Sequence, residues 1–152
     1  MVKRFILGAA LALMSSVAVA QDAYVGVTLD YGDPAGGSGE IATGILGGLR
    51  FGDGGLSYGA EFDMDLIGSS DFDASRLRGV VYNDMGKFGL FATMGATRFD
   101  LDAGGSETGL NAGLGADYEL RGNMSLRAEA IRDYMPDAPD VTTLRLGVTF
   151  GF

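Results

Sequence analysis

The stretch LSYGAEFDMDL, Leu56 to Leu66, alternates without a break. Leu56, Tyr58, Ala60, Phe62, Met64 and Leu66 fall on one side of an extended chain, and Ser57, Gly59, Glu61, Asp63 and Asp65 on the other. A period of two is the signature of a β-strand, whose successive side chains point to opposite faces. One face here is large and apolar, while the other is acidic and small. The fold turns on which of them meets water.

The same period recurs in seven further segments after Gln21. AYVGVTLDY sets Ala23, Val25, Val27, Leu29 and Tyr31 against Tyr24, Gly26, Thr28 and Asp30. IATGILGGLRF sets Ile41, Thr43, Ile45, Leu49 and Phe51 against Ala42, Gly44, Leu46, Gly48 and Arg50. SRLRGVVYN is less regular, with Leu77, Gly79 and Val81 opposite Arg76, Arg78, Val80 and Tyr82. KFGLFATMGATRF places Phe88, Leu90, Ala92, Met94 and Ala96 opposite Gly89, Phe91, Thr93, Gly95 and Thr97. TGLNAGLGADYEL divides Leu110, Ala112, Leu114, Ala116 and Tyr118 from Asn111, Gly113, Gly115, Asp117 and Glu119. MSLRAEAIR divides Met124, Leu126, Ala128 and Ala130 from Ser125, Arg127 and Glu129. The last is LRLGVTFGF, Leu144 to Phe152.

The links between segments alternate in length. GDGG, NDMG and RGN are tight and built from the residues that hairpin turns require. GDPAGGSG, IGSSDFDA, DLDAGGSE and DYMPDAPD are longer and acidic, and they contain all three prolines, where a missing N–H harms no ladder. An antiparallel meander with one trimmed end and one looped end is expected.

A meander of eight strands closes either as a soluble barrel, apolar face inward, or as a membrane barrel, apolar face outward. The polar face combines glycine, Ser, Thr and Asn with Arg50, Glu61, Asp63, Asp65, Arg78, Asp117, Glu119, Arg127, Glu129 and Arg145. Glycine leaves room in a narrow interior for long charged neighbours, and buried charges survive only when paired. Both signs are present on adjacent segments, so these ten residues are expected to form an interior polar network. The apolar face then meets lipid. Segments near 9–11 residues cross the hydrocarbon layer when tilted, and closure satisfies the backbone polar groups that lipid cannot. Aromatics near segment ends, Phe51, Tyr58, Phe88, Tyr118 and Phe152 at one end and Tyr31, Phe99 and Tyr134 at the other, match two interfacial girdles.

Both termini carry export chemistry. Lys3 and Arg4 precede the apolar run FILGAALALM, which is too short to span a bilayer, and Ala18-Val19-Ala20 fits a small-residue cleavage site before Gln21. Residues 1–20 are expected to be a signal peptide and residues 21–152 a single barrel domain. At the other end, Arg145 and Gly147 are followed by Phe150 and Phe152 at alternate positions through a terminal aromatic. This resembles the carboxy-terminal signal by which the outer-membrane insertion machinery recognises barrel clients. With hairpins such as GLGADYELRGNMSLRAEAIRDY, the chain from Gln21 onward resembles the small eight-stranded outer-membrane barrels of the OmpA and OmpX type. The resemblance implies an integral outer-membrane protein of a Gram-negative bacterium, with both termini in the periplasm. The peptidoglycan-binding role found in part of that family is not carried over, because it belongs to a separate domain.

Composition narrows the chemistry further. The chain has no cysteine, which removes disulfides and lipid-modified cysteine, and its net charge of −9 falls to −11 once Lys3 and Arg4 leave with the signal peptide. Such an acidic chain is not a nucleic-acid binder. There is no histidine either, which argues against a Ser-His-Asp hydrolase and a zinc centre. The lipid A deacylase, lipid A palmitoyltransferase and omptin barrels depend on a catalytic histidine, so their activities are not transferred. Glu61 with Asp63 or Asp65 is a carboxylate pair on one face, but a structural network accounts for it better than acid–base catalysis. DLDAGGSE, with Asp100, Asp102 and Glu107, begins like a calcium loop. Its fifth position is Gly104 and its twelfth Asn111, so it reads as a solvated acidic loop. The glycines of GLNAGLGADY keep strand period and no helix follows them, which rules out a dinucleotide loop.

The expected function is therefore structural or interactive and non-enzymatic, without cofactor or metal. The protein is expected to be a monomer among outer-membrane lipid and lipopolysaccharide. Asp33, Asp71, Asp73, Asp100, Asp102, Asp137 and Asp140 are expected to form a negative loop rim, able to bridge through divalent cations to anionic headgroups or to meet a basic partner. Two alternatives stay open at this point: a narrow, porin-like ion-conducting pore through the charged interior, and a soluble periplasmic barrel that binds a small ligand.

Overall fold

The computed structural model describes residues 22–34, 39–52, 55–68, 72–101 and 105–152. The signal-peptide reading, with its cleavage residues Ala18, Ala20 and Gln21, lies outside the described residues, as do Asp71 and Asp102. Eight strands run in order: β1 (Asp22–Pro34), β2 (Glu40–Phe51), β3 (Leu56–Gly68), β4 (Phe72–Met85), β5 (Phe88–Leu101), β6 (Ser106–Arg121), β7 (Met124–Tyr134) and β8 (Val141–Gly151). Each pairs with the next, antiparallel, and β8 pairs back onto β1, giving a closed up-and-down barrel.

The seam is a full ladder. It runs from Tyr24 opposite Gly151 to Pro34 opposite Val141, so among the described residues no strand lacks a neighbour on either side. At the tight end, β4 and β5 join through Gly86 and Lys87 alone, with Met85 opposite Phe88 and Gly86 at φ +78°. Only a glycine takes that angle without a steric penalty. Asn83, Asp84 and Met85, expected in the turn, belong to the strand instead. The looped end is likewise shorter than expected: Asp33, Asp73 and Asp100 sit on strands, because the ladders continue beyond the apolar zone of the wall.

The polarity of the barrel is inverted relative to a soluble protein. Val27, Leu29, Ile41, Leu56, Leu77, Met94, Leu110, Leu114, Leu144 and Leu146 all stand on the outside, each at least half exposed. Arg78, Arg127 and Arg145 are instead among the largest fully buried side chains. In water such a continuous apolar surface is an aggregation site; in a bilayer it is the required wall. A soluble ligand-binding barrel needs the opposite arrangement, so that alternative is overturned.

Two apolar clusters lie inside the barrel among its charges. Ala74, Phe99, Met135 and Val141 pack together toward the looped end, and Val80, Tyr82 and Phe91 toward the tight end. Phe99 was expected in the outer girdle and faces inward, because it keeps the parity of Thr93 and Thr97 along β5. The remaining girdle aromatics at the tight end lie on the outer wall, where Phe51 stacks on Tyr58 with centroids 5.9 Å apart and Phe88 meets Tyr118 at 5.0 Å. Tyr31 and Tyr134 are exposed toward the looped end.

Candidate functional site

The chemistry of this chain is concentrated in the lumen. Small inner-face residues are what let it hold so many long side chains. At Gly113, for example, an added Cβ would lie 2.5 Å from Thr93 Oγ1 and 2.7 Å from Glu129 Oε1, so any side chain there would displace the network.

Glu61 on β3 is held from three sides. Its Oε1 accepts from Arg78, its Oε2 accepts from Arg127, and the Tyr24 hydroxyl donates to Oε2 at 2.7 Å. Arg78 also donates to Glu129 Oε1 on β7 at 2.6 Å, spanning the lumen. Arg127 donates through Nε to Asp117 Oδ1 at 3.0 Å and through Nη2 to the Tyr82 hydroxyl at 3.1 Å, with its guanidinium 4.2 Å from the Phe91 ring centroid. Stacking against an aromatic face suits the planar, weakly hydrated guanidinium.

Toward the looped end, Asp63 plays the same part. Arg145 donates to it at 2.7 Å, Arg76 at 3.2 Å, and Arg78 Nη2 lies 3.2 Å away. Arg145 forks onto Asp30, Nε to Oδ1 at 2.9 Å and Nη2 to Oδ2 at 2.7 Å. Arg76 forks onto Asp133 at 3.1 and 2.8 Å, and the same carboxylate accepts from Thr97, which in turn accepts from Asn111 at 2.8 Å. Two-pronged guanidinium–carboxylate pairs are the strongest that side chains form and fix orientation as well as distance.

Of the ten residues expected inside, Glu61, Asp63, Arg78, Asp117, Arg127, Glu129 and Arg145 are joined in this network. Three stand apart. Arg50 is partly exposed at the tight end, where it donates to Asp84 and to Ser57 Oγ at 2.6 Å. Glu119 is exposed, because it follows Asp117 out of the lumen to the turn, next to a bulge that leaves Leu120 unpaired. Asp65 lies in the lumen wall with its Oδ1 buried and without a hydrogen-bond partner. Asp30, Arg76, Thr97, Asn111 and Asp133 were not among those ten, although strict alternation already places Asp30, Arg76, Thr97 and Asn111 on the inner face. What hid Asp133 was an early end to its segment at Arg132; the strand runs on to Tyr134.

The calcium-loop resemblance dissolves in the fold. Asn111 is buried in β6, Glu107 accepts from the Asp137 N–H at 2.8 Å, and Asp100 pairs with Arg98 at 3.0 Å. The four residues of the carboxy-terminal signal divide between faces: Phe150 and Phe152 point outward, whereas Arg145 and Gly147 point into the lumen.

An eight-strand closed ladder, an apolar exterior and a charge-filled interior define the class: a small antiparallel transmembrane β-barrel of the outer-membrane type. Solved structures carry the same fold. Ail, the attachment invasion locus protein of Yersinia pestis, superposes with a TM-score of 0.62 at 15% identity, covering 86% of this chain and 97% of Ail. Neisserial surface protein A gives 0.58 at 17% identity over 86% of this chain and 96% of its own. The N-terminal barrel domain of Pseudomonas aeruginosa OprF gives 0.58 at 14% identity over 85% and 97%. No protein-family model matches the chain, and no curated protein does. At such identities the likeness carries the fold, and function rests on the chain's own residues.

Proposed function

We propose that this protein is an integral outer-membrane barrel, exported by its N-terminal leader, with a structural and surface-interaction role and no enzymatic activity. The observation that carries this reading is the lumen. Arg76, Arg78, Arg127 and Arg145 are each at most 2% exposed and tie the inner faces of β1, β3, β4, β6, β7 and β8 together. An eight-stranded interior is about the size that side chains fill, and here apolar clusters pack among the charges. Such a filled interior argues against open diffusion.

The candidate acid–base pair supports the same reading. Glu61 and Asp63 are each committed to more than one arginine, which favours a structural role over that of a free acid or base. The barrel stands as a monomer in lipid and lipopolysaccharide, delivered there by the insertion machinery that reads its last strand. The exposed Asp33, Asp73, Asp100 and Asp137 favour contact between the loop rim and headgroups through divalent cations. If calcium or magnesium changed neither loop dynamics nor thermal stability, that contact would be lost from the proposal.

Recording in planar bilayers tests the central claim. Purified barrel should give no steady unitary current. A steady conductance that shifts when Arg78 or Glu129 is neutralised would overturn the reading in favour of a narrow pore, and extraction from membranes by carbonate alone would overturn membrane residence.

A further inference from the structure

The outer wall is not evenly built. Where β6, β7 and β8 lie side by side, Leu114 stands opposite Ala130, Ala130 opposite Leu144, and Ala128 opposite Leu146. Those three leucines are more than half exposed, so they rise on both sides of a floor of methyl groups. The result is an open apolar cleft of about 540 Å³ that continues over β8 to Leu29 and Tyr31 of β1. Asp30, Glu129 and Arg145 also border it, but their side chains are buried in the lumen pairs, which leaves the lining apolar. Clefts of roughly 300–1,000 Å³ are the size that takes a small ligand.

The cleft has a chemical direction. On β7, β8 and β1 the next outward residues toward the looped end are Arg132, Thr142 and Asp33, in register with one another. The wall therefore turns polar directly above Ala130. Arg132 donates from Nη1 to Thr142 Oγ1 at 2.6 Å and from Nη2 to Asp140 Oδ2 at 3.0 Å, yet its side chain stays 40% exposed. A guanidinium carries five N–H groups, so donors remain for a further acceptor. Asp140 is itself fixed by the Met135 N–H at 3.2 Å, and so holds Arg132 at the mouth of the cleft. Among the described residues, Arg98 and Arg132 are the cationic side chains that the looped end keeps outside the lumen, and Arg98 stands on β5, away from the cleft.

We propose that this cleft seats an acyl chain of one phosphate-bearing membrane lipid, whose phosphate oxygens accept from Arg132. The occupant follows from where the cleft lies. The outer wall of a membrane barrel faces acyl chains, so an apolar depression in that wall is filled by one. A chain lying along Ala128 and Ala130 brings its headgroup to the row of Arg132. Guanidinium and phosphate match in geometry as well as in charge. The proposal rests on the membrane reading above and deepens it, by naming the place on the wall where lipid is held and the group that holds it.

The test offers the folded barrel in detergent either dimyristoyl phosphatidic acid or dimyristoylglycerol, which has the same chains without the phosphate. Native mass spectrometry reads the fraction of protein that keeps one lipid. Wild type should hold phosphatidic acid roughly tenfold more tightly than dimyristoylglycerol, the usual worth of a charge-assisted hydrogen bond. Arg132→Gln should erase that preference, and Ala130→Phe, which fills the cleft, should weaken both lipids. Arg98→Gln should change neither. Gel migration checks that each variant is folded, and Ala128→Leu takes the place of Ala130→Phe should the latter not fold. Equal preference in wild type and Arg132→Gln, an equal loss in Arg98→Gln, or retention indifferent to filling the cleft would each overturn the proposal. Carbonate extraction reports membrane residence separately, so a barrel that stays in the membrane and fails these tests counts against the lipid site alone.

Discussion

Arg145 and Asp30 stand directly opposite each other on β8 and β1, 115 residues apart in sequence, and meet in a two-pronged ion pair buried at the seam where the barrel closes. The first and last strands share a long backbone ladder, but ladders tolerate slippage by two residues when side chains do not object. This pair objects. It sets the closing register, and through Asp63 it ties the seam to β3.

Replacing Arg145 with methionine strands Asp30 in the lumen and takes one of three arginines from Asp63. The expected loss is about 3–5 kcal/mol in equilibrium unfolding, the usual cost of removing one partner of a buried pair. A cycle with Asp30→Asn should give a coupling of about 0.5–3 kcal/mol. Simple additivity would mean that the two residues do not act as a unit.

Burial separates strong pairs from weak ones here. Glu61→Ala leaves Arg78 and Arg127 each short of an acceptor and is expected to cost about 3–5 kcal/mol. Asp100→Asn breaks the Arg98 pair, whose side chains are more than half exposed, and should change stability by about 0–1 kcal/mol. Denaturant midpoints of the two variants, measured side by side, check the contrast.

Leu114 is 70% exposed in the middle of β6, on the outer wall. Leu114→Arg should destabilise the barrel in lipid vesicles by about 2–4 kcal/mol, the price of a cation near the bilayer midplane. A lipid-soluble quencher should also reach spin labels at Leu114 and Val148. A label at Leu114 that only a water-soluble quencher reaches would reverse the assignment of faces.

Phe150 and Phe152 point away from the lumen network, so changing both to alanine removes no interior contact. Unassisted folding in detergent, followed by gel migration, should persist. Assembly by purified insertion machinery in proteoliposomes should slow several-fold if those rings are what it reads, and equal rates would dissociate them from recognition.

Asp73 and Asp100 are directly opposed across β4 and β5, both exposed. Like charges face to face on a sheet repel, and Asp73→Lys should convert the repulsion into attraction for a gain of about 0.2–1 kcal/mol. Thermal midpoints at low and high salt check this, since added salt should shrink the gain.

Much of the architecture was legible because a two-residue period leaves little freedom once begun. Eight alternating runs, tight turns rich in Gly, Asn and Asp, and prolines confined to the longer links specify a closed meander, and the same parity separates Leu77 from Arg78 or Leu114 from Gly113. The misplaced residues lie at strand ends. Phe99 was placed by its position along the strand when its parity already pointed inward, and Glu119 kept inner parity yet emerged at the rim.

Local sequence therefore determined which face each side chain takes, and so that this protein wears its apolar residues outside and its charges within, because pleating acts between neighbours. Which charge meets which was decided by the closed barrel alone. Stagger around the barrel brings Arg78 to Glu129 and Arg76 to Asp133, leaves Asp65 Oδ1 without a hydrogen bond, and joins Arg145 to Asp30 across the whole length of the chain. Those pairings depend on shear, a property of the complete ring that no single strand contains.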